Sequence, residues 1–387
     1  MKKDKLKILI VFGGMSTEHD VSVISALYTL ANIKKDKYEI FSLYINREGN
    51  IADYLEFEDC TKKIFKKYSK KVIPKDEKDI EKVRKLIMQT YYSEKSLKDY
   101  NDEEKKTYLI KVILEKSNLV FPIFHGFNGE DGTIQGLLEF LKTPYIGSGI
   151  LASTVGVDKE ITKSICIANK IPVVDYTTLC KYDWCKSETV KEELLNNLEF
   201  PVFIKPAHLG SSIGIGKAEN IKEIDELIKK GFEYDDKIIF ESGMKEVREI
   251  TISVMGNCSN IILSELGEFN REGVDYFDFK AKYGTECKEG MVPANIPKKE
   301  ATLIKEYSKL IFEKLGASGF IRLDYFYSDG KIVLNEVNTI PGLEQDGTFG
   351  KIWERVGYNF NSFFDKIVEF GMERYAQKSD LNYEYYI

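Results

Sequence analysis

The stretch from Gly319 to Gly342 constrains this chain more than any other. It reads GFIRLDYFYSDGKIVLNEVNTIPG. Residues on either side of Ser328-Asp329-Gly330 alternate as in a β-hairpin with one buried face. A three-residue loop with Gly330 in the left-handed conformation would pair Tyr327 with Lys331, and so Arg322 with Glu336. Side chains alternate with a period of two, which places Arg322, Asp324, Glu336 and Asn338 on one face. Two readings fit that face. One is a surface hairpin with a structural Arg–Glu pair. The other is a hard-oxygen site: two carboxylates and an amide oxygen suit Mg²⁺ together with substrate phosphates, and the arginine suits a phosphate or a developing oxyanion. The continuation through Thr339, Ile340, Pro341 and Gly342 fits a loop approached by a ligand, which favours the second reading.

The remaining sequence supplies a framework for this hairpin. Its 387 residues allow two or three domains. The apolar run Lys7–Phe12, a helix over Val21–Asn32 and a strand over Tyr38–Ile45 read as the start of a parallel α/β sheet. Residues 53–117 are rich in lysine and glutamate, and helical patches near 76–89 and 103–116 read as a charged helical insertion on the domain surface. Leu119–Phe124 returns to the sheet. The loop His125–Thr133 follows, at the strand end where α/β folds place ligands. A second unit begins near Gly149. It has a helix over Asp158–Ala168, a strand over Pro201–Lys205, a loop of small residues over His208–Gly216 and a strand over Lys237–Phe240. The last unit has strands at Arg248–Met255 and Ile261–Glu265, a long loop Gly267–Gly290, a helix near Lys298–Lys314, the hairpin, and an amphipathic helix at about Asn361–Arg374. The expected division is 1–148, 149–244 and 245–387.

Several function classes lose support. A net charge of −6 and a pI near 5.5 argue against a nucleic-acid binder, which carries a basic surplus. No apolar run reaches the ~18 residues of a membrane span. No signal peptide is recognisable after the basic Met1–Leu6. Cys60, Cys166, Cys180, Cys185, Cys258 and Cys287 form no CxxC pair and read as reduced thiols, so the expected compartment is the cytoplasm. Gly147-Ser148-Gly149-Ile150-Leu151-Ala152 has the outline of a dinucleotide fingerprint. It lies mid-chain, and no acidic residue ends a strand about 20 residues later, so NAD is not expected.

Three more clusters are candidates for chemistry. Lys205 ends a strand and His208–Gly216 follows, with Ser211 and Ser212; this is either a loop closing over phosphates, with Lys205 meeting them, or an ordinary mobile loop. No Walker A motif is present, and His208 reads as structural or solvent-facing. Gly13–Ser22 holds Glu18 and Asp20, acids suited either to a substrate ammonium or to capping the helix that follows. His125 opens a glycine-rich loop and reads equally as a structural or a functional histidine.

Taken together these segments resemble the D-alanine–D-alanine ligases, including relatives that use D-serine or D-lactate as second substrate. The resemblance lies in FGGMSTEHDVS, FPIFHGFNGEDGTIQGLLE, PYIGSGILAS, VDKEITK, FIKPAHLGSSIGI, YFDFKAKY and RLDYFY…LNEVNTIPG, in the family's order and over nearly the whole chain. It implies an ATP-grasp fold of three α/β-type domains, α+β in the ATP-binding part, with an N-terminal pre-ATP-grasp domain and ATP between the second and third. It implies Lys163 and Lys205 on phosphates, Ser212 in the nucleotide loop, and Glu241 and Glu249 around adenine and ribose. Ser211 is linked to Tyr283, and Lys282 approaches the γ-phosphate. Asp324, Glu336 and Asn338 bind magnesium or manganese. Arg322 and the Gly342 backbone stabilise an oxyanion, and His125 lines the first-substrate site. A homodimer is a further expectation. The implied reaction forms an acyl phosphate from ATP and D-alanine, for peptidoglycan precursor synthesis.

Two departures bear on substrate. Asp20 stands where the resemblance places a glutamate that holds the first ammonium. The family's threonine and serine-x-x-proline segment after the Pro-Gly is replaced here by Leu343–Gly350, with Glu344 and Asp346 added. Thr348 offers a hydroxyl for the second substrate's carboxylate. The added acids fit instead a second substrate of another charge pattern.

Overall fold

A computed structural model describes residues 5–34, 36–52, 55–56, 101–187, 189, 194, 198–257, 260–269, 290–343 and 348–382. Most of the expected insertion, including the patch at 76–89, lies outside the described residues. The first sheet has the order β3-β2-β1-β4, from β1 (Leu6–Gly13), β2 (Tyr38–Ile45), β3 (Leu55–Glu56) and β4 (Leu119–Ile123). β2 and β4 both pair with β1 in parallel. β1 is apolar on both faces because both are covered. Ile8, Ile10 and Phe12 pack on helix α1 (His19–Asn32), while Leu9 and Val11 pack on α2 (Asp102–Lys116) and α3 (Thr133–Phe140). The strand ends therefore carry the two loops at Gly14–Glu18 and His125–Gly132 to the same edge.

Helices α4 (Ile150–Val157) and α5 (Lys159–Ala168) come next. Asp158 caps α5 by accepting from the N–H groups of Glu160 and Ile161. Their apolar sides, with Ala152 and Cys166, join the core under the third sheet rather than that of the second. The second sheet is antiparallel, in the order β5-β8-β6-β7. It is made from β5 (Tyr176–Cys180), the short α6 (Lys181–Lys186), β6 (Val202–Pro206), β7 (Gly216–Ala218), α7 (Ile224–Gly231) and β8 (Lys237–Ser242).

The third sheet is also antiparallel. Its path is β10-β9-β12-β13, with β11 pairing β9, over β9 (Arg248–Asn257), β10 (Asn260–Leu263), β11 (Gly267–Phe269), helix α8 (Lys298–Leu315), β12 (Gly319–Ser328) and β13 (Lys331–Asn338). Ile250, Ile252, Val254, Ile321, Leu323 and Tyr325 face α8. Helices α9 (Thr348–Glu354) and α10 (Phe360–Ser379) then close back over the first sheet, and Phe363, Phe364 and Ile367 share a core with Ile8 and Ile10. The expected long loop is in its first part β11; residues 270–289 lie outside the described residues.

The hairpin register differs from the sequence expectation. Ser328 pairs with Lys331, so the turn has two residues, Asp329 and Gly330, both with positive φ (46° and 77°). That is the primed geometry whose twist suits a tight hairpin. A bulge at Asn335 then puts Asp324 opposite Glu336 and Arg322 opposite Asn338. The shorter turn and the bulge each shift the register by one residue. The two shifts cancel in parity, so the four polar side chains still share a face.

Candidate active site

On the side of the third sheet away from α8, the part beyond the buried Met255–Phe320 pair is polar. Thr251 and Ser253 of β9 lie beside Asp324 and Arg322 of β12, and Glu249 lies beside Phe326. Asp324 is buried and gathers this face together. It accepts from the Thr251 hydroxyl at 2.7 Å, from Arg322 Nη2 at 2.7 Å and from the Asn338 amide at 3.2 Å. Glu336 stands directly across the strand pair and is half-buried.

On the second sheet, Ile204, Ile238 and Phe240 point into the core. The alternate residues Lys205 and Glu241 therefore point the other way. Lys205 spans the gap between the sheets. Its Nζ donates to Asn335 Oδ1 at 3.3 Å and lies 5.6 Å from the Phe326 ring centre. The bulge is what aims Asn335 into this gap beside Glu336.

Glu241 is 2% exposed and bridges two cations, Lys205 at 2.6 Å and Lys163 of α5 at 3.0 Å. Burial alone raises a carboxyl's pKa, but the two ammoniums outweigh it and hold Glu241 down at about 2. The Lys163 ammonium, buried and poorly aligned on Glu241, has no hydrogen-bond acceptor among the described residues. Two cations around one carboxylate leave a positive charge in a buried place, which suits a further anion. Lys159, one helical turn before Lys163, is buried as well and donates to the Leu209 carbonyl. Burial lowers its pKa, against the pull of the nearby Glu336 charge. Lys159 is a site residue that sequence reasoning missed. The available signal was two lysines four apart on one helix, which share a face.

His208 anchors the loop after β6. It bonds Asp235 at 2.9 Å and Asp158 at 3.3 Å, and these two carboxylates raise its pKa to about 9. The imidazolium thus ties the loop to the start of α5. At the loop tip Ser211 and Ser212 both have positive φ, 51° and 57°. Ser211 Oγ donates a short hydrogen bond to Glu18 Oε1.

Asp20, the acid expected at the first-substrate site, pairs with the exposed Arg47 at 2.9 Å. Glu18, buried at the N-cap of α1, is the acid that meets Ser211. Gly126, with φ of 67°, lies so close that a Cβ there would meet Glu18 Oε2 at 2.5 Å.

His125 is buried between Ile340 O, 2.6 Å from Nδ1, and Ser25 Oγ, 3.0 Å from Nε2. A carbonyl only accepts, so Nδ1 carries the proton and Nε2 accepts from the serine. Burial lowers its pKa to about 4, and the ring is neutral at pH 7. Gly342 follows in the same turn, half-buried. Thr348 opens α9 against Gly267 and Gly290. Lys282, Tyr283, Glu344 and Asp346 lie outside the described residues. The cluster thus sets the buried lysines beside the second sheet against the carboxylates of the third.

Comparison with known proteins follows the same outline. A family model described as the D-ala D-ala ligase N-terminus matches residues 7–148, and one for the D-ala D-ala ligase C-terminus matches residues 165–369. The chain belongs to the D-alanine–D-alanine ligase family. The D-alanine–D-alanine ligase of Enterococcus hirae is 34% identical over 375 residues, covering 96% of this chain and 98% of that one. Among solved structures, the VanG D-Ala:D-Ser ligase from Enterococcus faecalis is 31% identical with a TM-score of 0.72, covering 95% of this chain and all of its own. The D-alanine–D-alanine ligase from Coxiella burnetii is 27% identical with a TM-score of 0.74, covering 97% of each chain. The fold is that of these ligases, an ATP-grasp architecture with a parallel sheet at the N-terminus. No helix among the described residues is long and apolar enough to cross a membrane.

Proposed function

We propose that the chain joins two D-alanines to D-alanyl-D-alanine at the expense of ATP, through an acyl phosphate, as a cytoplasmic enzyme of peptidoglycan precursor synthesis. The observation that carries this reading is the pairing of two polar sheet faces. One holds Lys163 and Lys205 around Glu241, and the other holds Asp324 opposite Glu336. Such a cleft neutralises a polyphosphate from both sides.

The donor set fits a divalent cation. Asp324, Glu336 and Asn338 offer only hard oxygens on one face, the preference of Mg²⁺ or Mn²⁺. A bound Mg²⁺ supplies charge neutralisation on the transferring phosphoryl group. Arg322 holds Asp324 in this structure, so it stands ready beside the reacting centre. Lys159, Lys163 and Lys205 bind phosphate oxygens. Ser212 lies in the loop over them, and Glu241 and Glu249 border the nucleotide. At the far end Glu18, oriented by Ser211, takes the ammonium of the first D-alanine, the role expected of Asp20. His125, neutral, holds the turn at Ile340 rather than moving a proton.

The first D-alanine's carboxylate attacks the γ-phosphorus of ATP, releasing ADP and forming the acyl phosphate. The second amine attacks the acyl carbon, and phosphate leaves. Arg322 and the Gly342 N–H stabilise the tetrahedral oxyanion. Lys282 and Tyr283 belong to this reading by resemblance alone, and Thr348 receives the second carboxylate. D-serine is the alternative second substrate, favoured by the 31% identity with a D-Ala:D-Ser ligase and by the altered 343–350 segment. The expected assembly is a homodimer, which sedimentation measures.

The test is Glu336→Ala. It abolishes phosphate release from ATP and Mg²⁺ with D-alanine, while the circular-dichroism spectrum is unchanged. Turnover at the wild-type rate removes the metal site from this reading.

A further inference from the structure

Glu130 is a carboxylate that the reaction steps above do not use. It lies between β4 and α3 at 8% exposure. Its partners come from two distant parts of the chain. Oε2 accepts from the Thr339 N–H at 2.7 Å, the Ile340 N–H at 3.0 Å and the Thr339 hydroxyl at 3.3 Å. Oε1 accepts from the Gly126 N–H at 3.2 Å. Burial and the nearby Glu18 push the Glu130 pKa up to about 7, against the three backbone N–H groups that converge on it.

The grip falls at a critical place. Thr339 and Ile340 directly follow Asn338 and precede Pro341-Gly342. His125 takes the Ile340 carbonyl while Glu130 takes the Ile340 N–H, so both sides of one residue's backbone are held by the loop after β4. The same loop touches Glu18 through Gly126. One loop therefore contacts the carboxylate assigned to the first ammonium and also the turn carrying Asn338 and Gly342.

We propose that Glu130 is a positioning residue of the ligation: it fixes the Asn338–Gly342 turn on the 125–133 loop, and so sets the spacing between the amino-acid site at Glu18 and the metal and oxyanion donors. The inference rests on the ligase reading. Glu130 touches no substrate and acts through the backbone it holds. Misplacing reacting groups by about 1 Å lowers rates about a hundredfold. Nucleotide affinity depends on lysines that Glu130 does not contact, so KM for ATP is spared.

The test uses the full chain with ATP, Mg²⁺ and D-alanine, following dipeptide and phosphate. Glu130→Gln keeps the side-chain volume but offers one acceptor and one donor where two acceptors stood. Its kcat falls about tenfold, and that of Glu130→Ala about a hundredfold, with KM for ATP within about twofold of wild type. Glu130→Asp keeps the carboxyl group on a shorter arm. It shows the same split in milder form, which serves if the neutral variants fail to fold. Thr339→Val removes only the 3.3 Å hydroxyl bond and leaves kcat within about threefold. Wild-type kcat in folded Glu130→Gln overturns the inference and leaves the ligase reading intact. A rise in KM for ATP that matches the fall in kcat also overturns it, because general damage to the fold has that signature. Absence of dipeptide with the wild-type protein overturns the ligase reading and this inference together.

Discussion

Glu18 and Asp20 are two residues apart and have different partners. Glu18 is buried against Ser211, while Asp20 holds the exposed Arg47. Glu18→Gln therefore raises KM for the first D-alanine about tenfold or more, by removing a charge-assisted contact. Asp20→Asn leaves KM within about twofold, since exposed ion pairs contribute little. Steady-state kinetics with varied D-alanine separates the two. Glu241 makes a second residue-scale case. Glu241→Gln leaves two buried ammoniums without their counterion and lowers stability by about 3–5 kcal/mol in urea unfolding at pH 7. The sign with pH follows from its depressed pKa. The contribution of ionised Glu241 is complete above the ordinary value of 4.5 and is lost as pH falls toward about 2, and the variant lacks this acid dependence. The sequence displays every residue type in this cluster. It does not tell which acid in Thr17-Glu18-His19-Asp20 is buried, because a pattern of types is blind to the phase at which a helix begins. Glu130 is hidden for a related reason: its partners lie some two hundred positions later, in the backbone rather than in any motif.

At the scale of elements, the hairpin of β12 and β13 shows how far alternation reaches. Period-two patterning with a three-residue turn places Arg322, Asp324, Glu336 and Asn338 together, and the bulge restores what the two-residue turn alone would undo. The register itself is not legible, because nothing local marks Asn335 as the bulged residue and a two-residue turn differs from a three-residue one by a single position. Deleting Asn335 restores regular pairing and keeps Glu336 opposite Asp324 and Asn338 opposite Arg322, because Leu334 and Glu336 already occupy adjacent pairs on either side of the bulge. Val337 stays in the core, and what is lost is the amide that meets Lys205. The deletion variant keeps Mg²⁺-dependent turnover with KM for ATP raised about two- to tenfold, which steady-state kinetics measure. The loop after β6 behaves similarly: its small residues are evident in sequence, whereas its anchoring by His208 to Asp158 and Asp235 requires two segments to meet in space.

At the scale of the whole molecule, the fold is three sheets, with polar faces of the second and third set against each other and loops from the strand ends of the first meeting them. The sequence shows the parallel start, most of the longer strands along the chain and the closing helix, because each is a local hydrophobic run, but not β3, β5 or β7. It does not show that the closing helix packs on the first sheet, far upstream in the chain. Phe364 of α10 contacts Phe121 and Tyr38 there, with ring centres at 6.0 and 5.7 Å. Phe364→Ala leaves a cavity between the first and last elements and lowers stability by about 3–5 kcal/mol, read from the urea midpoint. The cleft these elements enclose has one purpose in the reading given above, to make D-alanyl-D-alanine from ATP and D-alanine. Supplying the full-length protein with ATP, Mg²⁺ and D-alanine as the sole amino acid, and following phosphate and dipeptide together, measures it. One phosphate released per D-alanyl-D-alanine formed is the expected result. No dipeptide from D-alanine alone, with turnover appearing only when D-serine or another acceptor is added, would show that the 343–350 segment seats a different second substrate.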